Sequence, residues 1–184
     1  MTGAAGGNIY LVGFMGAGKS SVAAALGARL GWPVADTDAS IEHQSGLSIM
    51  DIFRLHGEAH FRYLEQQLMQ SLSRERRLVV ALGGGTFCFP EMVELINGSG
   101  CSIWLDCPLE ELVRRCASFH PPRPLARDET AFRRLFEARL TFYAQAHCRV
   151  QASSRTIVQV VAEIEDILRW RGLADAAGAS PRIG

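Results

Sequence analysis

Apolar residues in this chain gather in short unbroken runs, separated by longer stretches in which they recur every three or four positions. Ile9 to Phe14, Pro33 to Asp36, Leu78 to Leu82 ("LVVAL") and Ser102 to Leu105 ("SIWL") read as short buried strands. A last strand is expected near Arg149 to Gln151. Ser20 to Leu30, rich in alanine and stopped by Gly31, predicts a helix. So do Glu58 to Leu72, Pro108 to Cys116, Glu129 to Ala146 and Ile157 to Trp170. Strands alternating with helices imply βαβ units and a parallel sheet covered on both faces, an α/β fold. No internal repeat is visible. Met1 to Gly7 and Ala174 to Gly184 are small and polar enough to be expected to fray.

Composition narrows the picture. A length of 184 residues suits one domain. With 48% hydrophobic and 21% charged residues, the chain has ample material for a sizeable core. The 19 basic residues balance 19 acidic ones, which argues against a nucleic-acid binder working through bulk charge. An anionic ligand must therefore meet a local cluster of arginines. Cys88, Cys101, Cys107, Cys116 and Cys148 form no CxxC pair and no metal-ligand spacing with histidine, so free thiols in a reducing cytosol are expected. The first residues carry no basic n-region, and no segment approaches the roughly 20 apolar residues of a membrane span. A cytoplasmic protein without a membrane partner is the expectation.

Candidate chemistry begins at "GFMGAGKSS". The chain has 19 basic residues, of which Lys19 is the one lysine. Gly13, Gly18, Lys19 and Ser20 satisfy G-x-x-x-x-G-K-[ST] where a strand gives way to a helix, which is the context that motif needs. Glycines let successive backbone N–H groups turn inward onto phosphate oxygens, helped by the positive end of the following helix. A lysine ammonium is compact enough to reach the terminal phosphates inside such a loop, where arginine's broad fork does not fit. Gly16, Ala17, Gly18, Lys19, Ser20 and Ser21 are the expected ATP-binding set, with the Ser20 hydroxyl on Mg²⁺. The competing reading is a glycine-rich turn that matches by chance.

Asp36 and Asp38, in "ADTDASIE", lie two apart at the end of a strand, so an extended backbone would project both to one side. One could hold the magnesium shell, directly or through water, while the other accepts a hydrogen bond from an acceptor hydroxyl. Alternatively, Asp38 caps a helix starting at Ala39. Gly83, Gly84 and Gly85 follow the third strand, and three glycines make sense where main chain must approach a ligand closely. A flexible strand-to-helix turn is the alternative. Phe132, Leu135, Phe136, Leu140 and Tyr143 form an apolar helical stripe with Arg139 at its edge, where a cation needs an anionic partner, ligand or carboxylate. Arg62 has Glu65 one turn later, at ion-pair spacing. "CASFHPPRPLARD" carries three prolines and cannot be helical through its middle.

Taken together, "GFMGAGKS", "DTD", "DIFRLHGEAHFRYLE", "GGG", "RPLA" and "ARLTFY", from about Asn8 to Leu168, resemble the shikimate kinases. That resemblance implies a five-stranded parallel sheet flanked by helices, of the P-loop nucleoside-monophosphate-kinase type. It also implies a shikimate-binding region over about 37–65 and a mobile lid over about 117–128. The implied reaction is ATP-dependent phosphorylation of the shikimate 3-hydroxyl, a step toward chorismate and the aromatic amino acids, with Mg²⁺ as cofactor. By the same resemblance, Asp38 binds shikimate hydroxyls and is the candidate base, and Asp36 is its partner near Mg²⁺. Arg62 and Arg139 grip the carboxylate, with Glu65 holding Arg62 in place, and Gly83 to Gly85 line the acceptor site. Arg123 is the lid arginine that reaches the transferred phosphate. Arg115 lies against the nucleotide. Separately from the resemblance, the place of Arg155 near the final turn suggests stacking on adenine. A monomer is expected. Two other readings remain: a P-loop kinase for gluconate or a nucleoside monophosphate, and a module that binds ATP without transferring its phosphate.

Overall fold

The computed structural model describes residues 7–118 and 128–173. Arg123, most of the expected lid and the tail from 174 lie outside the described residues.

Five parallel strands form one sheet in the order β2-β3-β1-β4-β5. They are β1 (Asn8–Val12), β2 (Val34–Asp36), β3 (Val79–Ala81), β4 (Gly100–Asp106) and β5 (Cys148–Gln151). β1 is central and buried at every position, which is why its sequence is a continuous apolar run after Asn8. The helices are α1 (Lys19–Leu30), α2 (Thr37–Ser45), α3 (Ile49–Leu72), α4 (Pro90–Ser99), α5 (Leu109–Ala117), α6 (Glu129–Tyr143) and α7 (Ile157–Trp170), with a short 3-10 helix at Thr86–Cys88. α1 packs against α7, and the Arg29–Glu165 pair at 2.7 Å links the two. No helix among the described residues is long and apolar enough to cross a membrane.

The α/β architecture, strand count and parallel sense match the expectation. Several boundaries move. β1 stops at Val12 rather than Phe14, because Gly13 turns the chain into the loop with φ +144°. α6 ends at Tyr143, where tight turns through Gln145 and Ala146 lead into β5. The pattern missed α4, although Pro90 opens it and Met92, Val93 and Ile96 line its buried face.

α3 is broken at Gly57, whose φ 79° and ψ 172° belong to glycine alone. The break lets the arm Ile49–His56 fold back so that the Phe53 ring meets the Phe61 ring at 4.8 Å. A small second core of Ile41, Ile52, Phe61 and Leu68 forms beneath it, apart from the main core around the sheet.

Candidate functional site

The carboxyl ends of parallel strands are where crevices form, and here they open into a cleft of about 470 Å³. The loop Gly13–Gly18 leaves β1 and delivers Lys19 and Ser20 to the first turn of α1. The Lys19 ammonium lies back across its own loop, donating to the carbonyls of Gly13 at 2.8 Å and Phe14 at 2.9 Å. Phe14 anchors that loop from below, meeting Phe132 and Phe136 of α6 edge-on at 5.0 and 5.4 Å.

The Ser20 hydroxyl donates to Asp36 Oδ2 at 2.5 Å. The other oxygen of Asp36 accepts the N–H groups of Asp38 and Ala39 at 3.1 and 3.2 Å, so Asp36 caps α2. This corrects two expectations. The cap is Asp36 and not Asp38, because the helix begins at Thr37. Asp38 is therefore on the first turn of α2, not in extended chain, and the argument from strand alternation does not apply. Both carboxylates nevertheless line the same cleft, Asp38 because the helical turn carries it round to β3. A hydroxyl and a carboxylate side by side are hard oxygen donors suited to Mg²⁺. No group of three or more His, Cys, Asp or Glu that could hold a metal exists among the described residues. An ion at Ser20 and Asp36 would thus complete its shell with phosphate and water oxygens, the usual habit of Mg²⁺.

Of the three glycines after β3, Gly84 lines the same cleft. A Cβ on Gly83 would stand 2.5 Å from Asp38 Oδ1, and one on Gly84 would stand 3.4 Å from the Met15 nitrogen of the phosphate loop. Close approach explains these glycines, here to the protein's own Asp38, Met15, Arg62 and Arg139, whereas the sequence suggested approach to a ligand. The N–H of Gly83, however, is taken by the Thr37 hydroxyl at 2.8 Å. Only Gly84 and Gly85 therefore have N–H groups without a hydrogen bond from the described residues.

Arg62 and Arg139 converge over Gly85: a Cβ there would be 3.2 Å from Arg62 Nη1 and 3.1 Å from Arg139 Nη2. Arg62 pairs with Glu65 at 2.5 Å and with Glu58 at 3.0 Å. Burial works against its charge, and the two carboxylates more than offset this, so its pKa is raised. Buried Glu65 is itself fixed by the Thr86 hydroxyl at 2.6 Å. Arg139 makes no salt bridge with a carboxylate among the described residues; its guanidinium lies over the Phe14 ring at 5.5 Å. Two guanidinium groups at one point, with paired carboxylates on only one of them, make a receptor for an anion.

Arg115 pairs with Glu111 at 2.5 Å and donates to the carbonyls of Gly16 at 3.3 Å and Ala152 at 3.2 Å. Arg155 pairs with Glu163 and donates to the carbonyls of Gln159 at 3.1 Å and Gln151 at 3.3 Å. Both line the cleft at its loop end. None of the five cysteines forms a disulfide. Sequence reasoning passed over Thr37 and Thr86, and read Tyr143 only as part of an apolar stripe. Their neighbours marked the place, but nothing local told a clamp from a core residue.

The family described as shikimate kinase matches residues 15–169 of this chain. A shikimate kinase of Persephonella marina is 40% identical over 157 residues, covering 85% of this chain and 96% of that protein. One from Geobacter metallireducens is 41% identical over 167 residues, covering 89% and 93%. The solved shikimate kinase of Acinetobacter baumannii in complex with shikimate superposes with a TM-score of 0.84 at 31% identity, covering 91% of this chain and 95% of that one. Loop, aspartates and Gly84 line one cleft, with Arg62 and Arg139 converging over the adjacent Gly85, and the chain belongs to the shikimate kinase family.

Proposed function

We propose that Lys19, Asp38 and Arg123 carry the phosphoryl transfer, while Arg62, Arg139 and the Gly83–Gly85 turn hold the acceptor. As a member of its family the chain is a kinase. It uses ATP to phosphorylate the 3-hydroxyl of shikimate, a step of aromatic amino acid biosynthesis. The observation that carries the division of labour is the meeting of Arg62 and Arg139 over Gly85, next to Gly84, which lines the cleft together with Lys19.

The main-chain amides of the loop and the Lys19 ammonium take the phosphates; Gly16, Ala17, Gly18, Ser20 and Ser21 complete that cradle. Arg115 and Arg155 border the nucleotide, fixed by Glu111 and Glu163. The two guanidinium groups take the carboxylate of shikimate, and Asp38 accepts a hydrogen bond from the hydroxyl that is phosphorylated. The transition state of such transfers is loose, so positioning and charge stabilisation dominate and the proton passes late to Asp38. Mg²⁺, held at Ser20 and Asp36, would neutralise charge between the terminal phosphates. Arg123 would bring a further cation from the lid. A monomeric, cytoplasmic enzyme without nucleic-acid or membrane partners belongs to the same reading, and the balanced charge supports the absence of a nucleic-acid partner.

Coupled ADP release with shikimate, gluconate, nucleoside monophosphates and no acceptor tests this directly. Stimulation by shikimate alone is expected, with Lys19→Met abolishing it. A Lys19→Met protein that worked at the parental rate would overturn the assignment.

A further inference from the structure

We propose that Tyr143 is a positioning residue for the transfer: its hydroxyl tethers the Gly84 carbonyl and so fixes the main chain on which the phosphate loop and the acceptor site meet. The proposal rests on the reading of Gly83–Gly85 and Arg139 as the acceptor site. Tyr143 lies one helical turn after Arg139 and is 1% exposed. Its hydroxyl donates to the Gly84 carbonyl at 2.5 Å.

Gly84 lines the cleft and stands between the phosphate loop and Arg139. A Cβ there would be 3.4 Å from the Met15 nitrogen on one side and 3.4 Å from Arg139 Nη1 on the other. A glycine has no side chain to lock it in place, so its position depends on what holds its peptide groups. The carbonyl has one other partner among the described residues, the Cys88 thiol at 3.8 Å, which is a weak donor. The tyrosine ring is in turn held by the core, with the Trp104 ring 6.1 Å away. Burial pushes the Tyr143 pKa well above its ordinary value, so the hydroxyl keeps its proton and remains a donor throughout the working range. Removing that donor leaves the turn free to shift by a fraction of an ångström, and such displacements cost rate in a transfer governed by alignment.

The test compares Tyr143→Phe with Tyr10→Phe. Tyr10 is also fully buried, but its hydroxyl bonds Ser99 Oγ at 2.8 Å, away from the glycine turn that Tyr143 holds. Both substitutions keep the ring. Y143F is expected to lower kcat with shikimate by about tenfold or more. KM for shikimate should rise severalfold while KM for ATP stays within about twofold. More than one ADP should form per shikimate 3-phosphate, because misaligned acceptor lets water compete. Y10F should lower the melting temperature and leave all of these constants in place. The proposal is overturned if kcat of Y143F stays within about twofold of wild type. It is equally overturned if Y143F loses activity only in proportion to its loss of folded protein, with both KM values unchanged. A wild-type protein without shikimate-dependent ADP release would instead refute the acceptor assignment itself.

Discussion

At the residue scale, two arginines show how much a partner decides. Arg62 and Arg139 face one point, yet Glu65 and Glu58 pair only with Arg62. On the proposed reading, Arg139 is the cation whose counter-charge the ligand supplies. Arg139→Ala is therefore expected to weaken shikimate binding by about 2–5 kcal/mol, since a desolvated carboxylate loses its charged partner. Calorimetric titration should show ATP affinity changing much less. Equal loss for both ligands would make Arg139 structural. The sequence marked Arg139 by its place beside an apolar stripe, and Arg62 by Glu65 one turn later. It did not mark Thr86, whose hydroxyl holds Glu65 from a different element, because that contact joins residues 21 positions apart.

At the element scale, the break in α3 is the feature that pattern alone read least well. Helical periodicity was visible from Glu58 onward, and the arm before it went unassigned. Gly57 has φ 79°, and a Cβ added there would meet nothing within 4 Å, so space is available and conformation is the obstacle. Gly57→Ala should destabilise the protein by about 1–3 kcal/mol. It should also raise KM for shikimate, because the arm carries Phe53 onto Phe61, beside Arg62. Gly98, near the end of α4, also has open space but no positive φ. Gly98→Ala should stabilise the fold by roughly 0.5–1 kcal/mol, the ordinary helix preference of alanine. Thermal melts of the two variants should move in opposite directions. If G57A melted above wild type, the break would carry no conformational constraint.

At the scale of the whole molecule, the sheet order places β1 between β3 and β4, so the phosphate loop and the glycine turn emerge from neighbouring strands. Ligands at that junction bridge elements far apart in sequence and should stabilise the native state as a unit. At about 100 times its dissociation constant, a ligand adds about 2.7 kcal/mol. For a chain of this size that corresponds to roughly 5–11 °C in melting temperature. Shikimate should give such a shift with or without EDTA. The shift from ADP with Mg²⁺ should shrink on chelation, because the proposed ion at Ser20 and Asp36 would need phosphate oxygens to complete its shell. A shikimate shift abolished by EDTA would contradict the separation of metal and carboxylate sites.

By itself the sequence determined the fold class, the phosphate loop, the glycine turn and which charged residues could act. Each is written in a short window, as an apolar run, a glycine spacing or a helical stripe, and local backbone sterics read such windows directly. Only the tertiary structure decided that Asp36 rather than Asp38 caps α2. It alone showed that Gly83 donates its N–H to Thr37, that Glu65 pairs with Arg62 while Arg139 lies over the Phe14 ring, and that Tyr143 grips Gly84. Those facts depend on which side chains meet across strands and helices. Hydrogen bonds and ion pairs act over about 3 Å in space, a distance that carries no trace in positions counted along the chain.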